Sequence, residues 1–315
     1  MIASGQASVL EELGDLFGRR FQRNIPLAPY TSARIGGPAA GLIIAGDRDE
    51  LAESVMAFWE RAVPYFVLGG GSNILVSDRG FSGVVVLNRA RQVVFPPAEG
   101  PLRIWAESGA NLGLIARQAA ARGLAGIGWA AGIPGTVGGA VTGNAGAHGS
   151  EISAALAVAE ILQRTGERED WGPERLELTY RNSLIKRRPG EHLVLSAAFV
   201  VGRASSEEIE AELDEYLTYR RRTQPAGASM GSMFKNPPGD YAGRLIEGAG
   251  LKGLQVGKAQ ISPLHANFFV NHGGASSSDV YRLIQSARKS VAQKYGIDLE
   301  LEIELIGEWE EDAVC

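Results

Sequence analysis

Cysteine is nearly absent from this chain of 315 residues: its one thiol, Cys315, is the last residue. A lone cysteine builds neither a disulfide framework nor a thiolate metal cluster within the chain, and a terminal thiol is more often incidental than catalytic. Histidine is scarce as well, with four residues. His148 and His265 show no metal-ligand spacing, so both read as structural or supporting residues and no metal site is expected. Positive charge is not in excess: 31 Lys and Arg face 36 Asp and Glu, interspersed, for a net charge of -5. That balance argues against a nucleic-acid surface. Residues 1–22 mix acids and bases and lack the apolar core of a signal peptide. The stretch 123–150 carries no Asp, Glu, Lys or Arg, yet Pro134, Asn144 and closely spaced glycines make it a poor membrane helix. A cytoplasmic protein with no membrane partner is expected. The sequence identifies no protein partner.

What is plentiful is glycine, 41 residues, about twice the usual share of roughly 7%. Glycine lets a backbone amide approach a phosphate at any φ. The apolar share of 45% over this length is enough for two or three domains with full cores. Strands are expected at 42–44, 65–68, 84–87 and 104–106. A helix follows Asp47, with Glu50 completing a capping box and Leu51, Val55, Phe58 and Trp59 on one face. Another spans 111–122 and stops at Gly123. Residues up to Gly149 read as glycine-rich loop, followed by strands at 157–162 and 193–201. Ser205 and Glu208 cap a helix whose late Arg220, Arg221 and Arg222 suit the helix dipole better than an anion site. Residues 223–230 read as a linker, 279–295 as an amphipathic helix and 299–306 as a final strand.

Two loops carry the chemistry. Gly69, Gly70, Gly71, Ser72 and Asn73 follow an apolar strand, so consecutive amides surround one point and two side chains add donors, as a diphosphate requires. A tight strand-to-strand turn is the plainer reading of one such loop. A Rossmann fingerprint starting at Gly69 needs glycine where Ile74 stands, and no Lys-Ser or Lys-Thr pair completes a P-loop. The second loop holds Ile133, Pro134, Gly135, Val137, Gly138 and Gly139, then Asn144 and Gly146. Two uncharged, glycine-dense loops in one chain favour a dinucleotide over a buried crossover.

Several motifs resemble one family. T-S-A-R-I-G-G at 31–37, the 69–73 loop and G-I-P-G-T-V-G-G at 132–139 are similar to the vanillyl-alcohol-oxidase/PCMH type of FAD-binding fold. Y-R-N-S at 180–183, G-S-M-F-K-N-P at 231–237, A-G-R-L-I-E at 242–247, G-L-K-G at 250–253 and S-P-L-H-A-N-F at 262–268 narrow the likeness. Together they resemble the UDP-N-acetylenolpyruvoylglucosamine reductases (MurB) over about 30–307. The resemblance implies an α+β chain with a two-part FAD-binding domain and a C-terminal α/β substrate-binding domain. The parts would be 1–90 with the diphosphate loop, 91–204, and 205–315, whose last strand can return to the active site.

It also implies the reaction. NADPH reduces non-covalently bound FAD, and hydride then reaches the β-carbon of an enolpyruvyl ether on UDP-N-acetylglucosamine. Arg181 matches the cation at the substrate carboxylate, Ser232 the proton donor, and Lys235 and Asn236 contacts to the nucleotide sugar. A surface arginine, a turn serine and a solvated lysine are the commoner fates of such residues outside these motifs. Counting back from Gly307 places the catalytic glutamate at Glu302, although 299–306 alternates strictly and puts Glu300, Glu302 and Glu304 on one face. The family often has a basic residue where Glu304 stands. Only 51 positions separate Arg181 from Ser232, as in the subtype that lacks a tyrosine-bearing lid loop. Two other readings stay open on residues alone: a flavin oxidase of the same fold, against which stands the lack of any histidine before His148, and a non-catalytic nucleotide-binding regulator.

Overall fold

Val84, Val85, Val86 and Leu87 form an unbroken apolar run, which suits a strand covered on both faces. They lie in Phe81–Asn88, inside a four-stranded sheet of order Phe21–Pro26, Pro38–Ala45, Phe81–Asn88, Tyr65–Leu68. The first pair is antiparallel and the others are parallel. One face, with Ile43, Val84 and Val86, packs under the helices Ser4–Phe17 and Arg48–Glu60. The other, with Leu42, Val85 and Leu87, meets Leu27 and Ile74. The computed structural model describes residues 4–97 and 99–309, so Cys315 lies outside them. Asp47 caps the Arg48–Glu60 helix as expected, accepting from the Asp49 and Glu50 amides. The box closes differently, because the Glu50 carboxylate accepts from the Gly46 amide at 2.7 Å, one residue earlier than the cap.

The middle of the chain builds a five-stranded antiparallel sheet of order Arg168–Trp171, Leu156–Gln163, His192–Val200, Arg103–Glu107, Val93–Val94. The expected loop up to Gly149 is not all loop. Val137–Thr142 is a short helix and Gly128–Ala130 a 3-10 turn, because the residues between the glycines are apolar and bury into the core beneath. Helix Ser206–Thr223 has the reciprocal Ser205–Glu208 cap. It packs Leu213, Tyr216 and Leu217 onto this middle core, so the break into the last part follows this helix instead of preceding it.

The last part is a four-stranded antiparallel sheet of order Ala228–Ser232, Phe268–Asn271, Ala259–Ile261, Gln255–Val256, backed by the helices Ala242–Gly248 and Ser277–Tyr295. The strand expected over 299–306 is cut to Glu304–Ile306, with bends at Glu302 and Ile303. This remnant leaves its own sheet to pair in parallel with Ile74–Val76, directly after the first glycine loop. The chain is of the expected α+β class. No helix among the described residues is long and apolar enough to cross a membrane, and no group of three His, Cys, Asp or Glu among them could hold a metal ion.

A second link joins the first and last parts. The Asp78 carboxylate accepts from the Ser277 amide at 2.8 Å and from the Ser278 amide at 3.1 Å, at the start of helix Ser277–Tyr295. These bonds to Ser277 and Ser278 hold its pKa below the ordinary carboxylate value, although burial opposes them as the largest single influence. Replacing Asp78 with Ala is expected to lower the free energy of unfolding by the usual worth of a helix cap, about 0.5–2 kcal/mol. Because the folded pKa is depressed, the contribution is present above the unfolded pKa and lost as pH falls through the folded one. Circular dichroism melts at neutral and acid pH should therefore show the gap between variant and wild type closing in acid.

Candidate active site

The two glycine loops abut one another. Ser72 Oγ donates to the Pro134 carbonyl at 3.2 Å, and a Cβ on Gly69 would stand 2.3 Å from Thr136 Oγ1. Gly71 turns at φ +60 directly against the Tyr30 carbonyl, a conformation and a clearance that only glycine allows. Between and beyond the loops lies a cavity of about 1330 Å³, above the upper end of the roughly 300–1,000 Å³ usual for small-ligand sites. Its lining includes Gly69 to Asn73 on one wall and Ile133, Pro134, Gly135, Gly138, Gly139 and Gly146 on the other. The side-chain donors expected of the first loop are already used. Ser72 donates to Pro134, and Asn73 Nδ2 donates to the Glu302 carbonyl at 3.1 Å. The amides of Gly70, Gly71, Ser72 and Asn73 donate to no protein acceptor among the described residues. Four consecutive unspent amides at the edge of a large cavity fit a diphosphate, so the donor set here is backbone.

Val137 and Asn144 lie behind the wall. Val137 is fully buried and its amide donates to the Ala110 carbonyl at 2.9 Å. Asn144 donates to the Thr179 carbonyl at 3.0 Å and accepts from the Ser153 amide at 3.0 Å. It thereby braces a tight turn in which Thr179 and Asn182 exchange backbone hydrogen bonds and Arg181 adopts φ +56. A left-handed arginine costs roughly 1–2 kcal/mol, the kind of local strain that clusters at functional sites.

Arg181 faces the cavity together with Ser232 and Glu302. Its Nη2 donates to the Gly146 carbonyl at 3.0 Å, while Nε lies 2.7 Å from Glu302 Oε1. That approach is close in charge but off the N–H direction, so Nε completes no aligned hydrogen bond. Ser232 ends the strand Ala228–Ser232, where a register shift after Ser229 turns the chain against Phe268 and Gly231 adopts φ +77. The Glu302 amide donates to the Met233 carbonyl at 3.0 Å, and the Glu304 amide donates to the Asn73 carbonyl at 3.0 Å. Glutamate, serine motif and first loop are therefore tied backbone to backbone.

The three C-terminal glutamates do not share a face, because the bends at Glu302 and Ile303 break the alternation. Each pairs with its own cation. Glu300 contacts Lys235, Glu302 contacts Arg181, and Glu304 lies 3.6 Å from Lys186. The side chain of Glu302 is 17% exposed, against 72% for Glu300 and 43% for Glu304. Burial raises the Glu302 pKa above the ordinary carboxylate value, opposed by Arg181 first and then by Lys186 and Lys235.

Lys235 and Asn236 sit outside the cavity lining. Asn236 Oδ1 accepts from the Ala242 amide at 3.1 Å, where helix Ala242–Gly248 begins. The lining also holds residues that the sequence does not single out as site residues. Arg220 reaches into the cavity with its stem against Gly132, and burial lowers its pKa, so the arginine cluster is not only a dipole complement. Beside it His148 stacks on Tyr216 with ring centroids 4.2 Å apart, and burial lowers the histidine pKa. Asn88, which donates to Ser108 Oγ at 2.8 Å, also lines the cavity, as does Lys186 on the short helix Leu184–Arg187. Helical spacing of Tyr216 and Arg220 was the one available signal; the others depend on long-range packing.

Sequence comparison matches residues 39–171 to the profile of an FAD binding domain and 224–306 to that of the C-terminal domain of UDP-N-acetylenolpyruvoylglucosamine reductase. The reductase of that name from Chloroflexus aggregans is 42% identical over 90% of this chain and 96% of its own. That from Rubrobacter xylanophilus is 44% identical over 90% and 94%. The crystal structure of the MurB reductase from Thermus caldophilus superposes with a TM-score of 0.78 at 37% identity, covering 91% of this chain and 99% of that one.

Replacing Gly69 with Ala puts a methyl group into Thr136. The variant is expected to keep its far-ultraviolet circular dichroism yet to bind FAD at least about tenfold more weakly, the effect of about 1.4 kcal/mol. Titration of apoprotein with FAD, followed by flavin fluorescence, checks this.

Proposed function

The chain belongs to the UDP-N-acetylenolpyruvoylglucosamine reductase family, and on that premise we propose that it reduces UDP-N-acetylglucosamine enolpyruvate to UDP-N-acetylmuramate, with NADPH as hydride donor and non-covalent FAD as cofactor. The observation that carries this reading is the convergence of Arg181, Glu302 and Ser232 on one cavity that two glycine loops also wall. The product is a peptidoglycan precursor. The reading places the enzyme in the cytoplasm, upstream of cell-wall growth and thus of cell shape and division.

FAD, which the amides of Gly70 to Asn73 and the facing loop with Ile133 to Gly139 would hold, would supply the redox chemistry, carrying hydride between NADPH and the enolpyruvyl group. The protein supplies the rest. Hydride arrival at the β-carbon drives an electron pair toward the substrate carboxylate, and the α-carbon must then gain a proton. The planar guanidinium of Arg181 suits that carboxylate, and once placed against it stabilises charge as it develops. Glu302, held in a buried site that favours its neutral form, donates a hydrogen bond to the same oxygens. Ser232 delivers the proton to the α-carbon from the side opposite the hydride. Serine is a weak acid, so its hydroxyl needs help in replacing the proton it gives up. Lys235 acts at one remove, through its charge on Glu302. Asn236 holds the start of the neighbouring helix.

Ser232→Ala is expected to separate the two halves of the reaction. Reduction of FAD by NADPH needs no proton on the substrate carbon and should persist. Reoxidation by the enolpyruvyl substrate should slow by about 10²–10⁴-fold, the usual worth of a positioned proton donor. Stopped-flow flavin absorbance resolves both, and equal slowing of the two would remove Ser232 from the role.

The glutamates give a second check. Glu302→Gln should lower turnover by about 10²-fold or more, the scale of one strong transition-state contact. Glu300→Gln, at the exposed end of the row, should stay near wild type. Steady-state rates under saturating NADPH compare them, and full activity in Glu302→Gln would take this segment out of the chemistry.

A further inference from the structure

Arg181 has two claimants. The proposed reaction, on which this inference rests, assigns its guanidinium to the substrate carboxylate, yet in the structure that guanidinium lies 2.7 Å from Glu302. Both anions cannot hold it on equal terms at this distance. We propose that the incoming carboxylate takes Arg181 away from Glu302, and that Glu302 binds one proton from solvent as the substrate docks.

Arg181 is the strongest of the cations that act on Glu302, ahead of Lys186 and Lys235. Lys186, on the short helix Leu184–Arg187, lies 3.6 Å from Glu304, and Lys235 contacts Glu300. Neither lysine is therefore free to replace the arginine beside Glu302. Glu302 itself is only 17% exposed, so water compensates its charge poorly. Once Arg181 turns to the substrate, Glu302 is a buried carboxylate with no counter-ion of its own and a second carboxylate beside it. Loss of the cation, burial and the new like charge all favour the protonated form. Protonation converts Glu302 from an acceptor into a donor aimed at the substrate. The arrival of substrate thus creates the hydrogen-bond donor that its own reduction requires.

Isothermal titration calorimetry of the oxidised holoenzyme with UDP-N-acetylglucosamine enolpyruvate, without NADPH, measures binding with no turnover. Titrations over a series of pH values in buffers of different ionisation enthalpy should show a maximum uptake approaching one proton per site. UDP-N-acetylglucosamine, which lacks the carboxylate, should show none, and Glu302→Gln should bind the enolpyruvyl ligand without uptake. Between the free and bound pKa values of Glu302, the wild-type Kd should rise about tenfold per pH unit, as a one-proton linkage requires. That slope needs no variant and tests the idea even if Glu302→Gln loses its flavin. Tight binding with no uptake and a pH-independent Kd would overturn the proposal and leave the proposed reaction standing. Uptake that persists in Glu302→Gln, or that UDP-N-acetylglucosamine matches, would overturn it by moving the proton elsewhere. Failure of the enolpyruvyl ligand to bind at all would overturn the reaction and this inference together.

Discussion

The site depends on a three-residue strand that leaves its own domain. Glu304–Ile306 pairs in parallel with Ile74–Val76, and Asn73 binds both sides of the bend, donating to the Glu302 carbonyl and accepting from the Glu304 amide. Those few bonds fix the position of the first glycine loop relative to the buried glutamate. The Glu302 amide then reaches Met233, one residue past Ser232, so the serine motif is registered against the same point. Groups far apart in sequence are held by backbone hydrogen bonds, which position more rigidly than side chains on loops. Asp78 at the start of helix Ser277–Tyr295 adds a second tether between the same two parts.

This arrangement explains why the sequence was partly legible. Motifs with a local cause read correctly: the caps at Asp47 and Ser205 depend on neighbours within a few residues. The strand at 299–306 did not. Its alternation is real as a pattern, but Asn73 and Met233 hold the middle of it in a bend, and those partners are 229 positions away in one case and in another domain element in the other. Asn144 lies off the cavity lining for a related reason. Asparagine in a glycine-rich stretch looks like a ligand contact, whereas here the positive φ and the two bonds to Thr179 and Ser153 make it a brace for the Arg181 turn.

Family resemblance and physical reading also separate at Lys235 and Asn236. Both belong to the G-S-M-F-K-N-P stretch, yet the strand ends at Ser232 and the chain bends at Met233. Ser232 lines the cavity, Phe234 is fully buried, and Lys235 turns out to Glu300. The motif is therefore held together partly by the fold: Asn267 donates to the Phe234 carbonyl and accepts from its amide, and Asn236 seats the helix Ala242–Gly248.

A division of labour runs along the cavity. On the proposed reading, the cofactor meets neutral backbone amides, whose orientation is set by the fold and whose charge does not change with pH. The exchangeable ligands meet ionisable groups instead: Arg181, Lys186 and Arg220 as cations, Glu302 and Glu304 as acids. A group that titrates is useful where the charge of the occupant changes during each cycle, and a liability where an anion must stay bound throughout. Pairing each C-terminal glutamate with a separate cation keeps that end close to neutral while it is empty, without fixing any one pair permanently. Only the middle pair is buried deeply enough for exchange of its partner to change a protonation state. The bends at Glu302 and Ile303, by placing Glu302 inside and its neighbours outside, convert a regular row of three surface charges into one responsive group and two supporting ones.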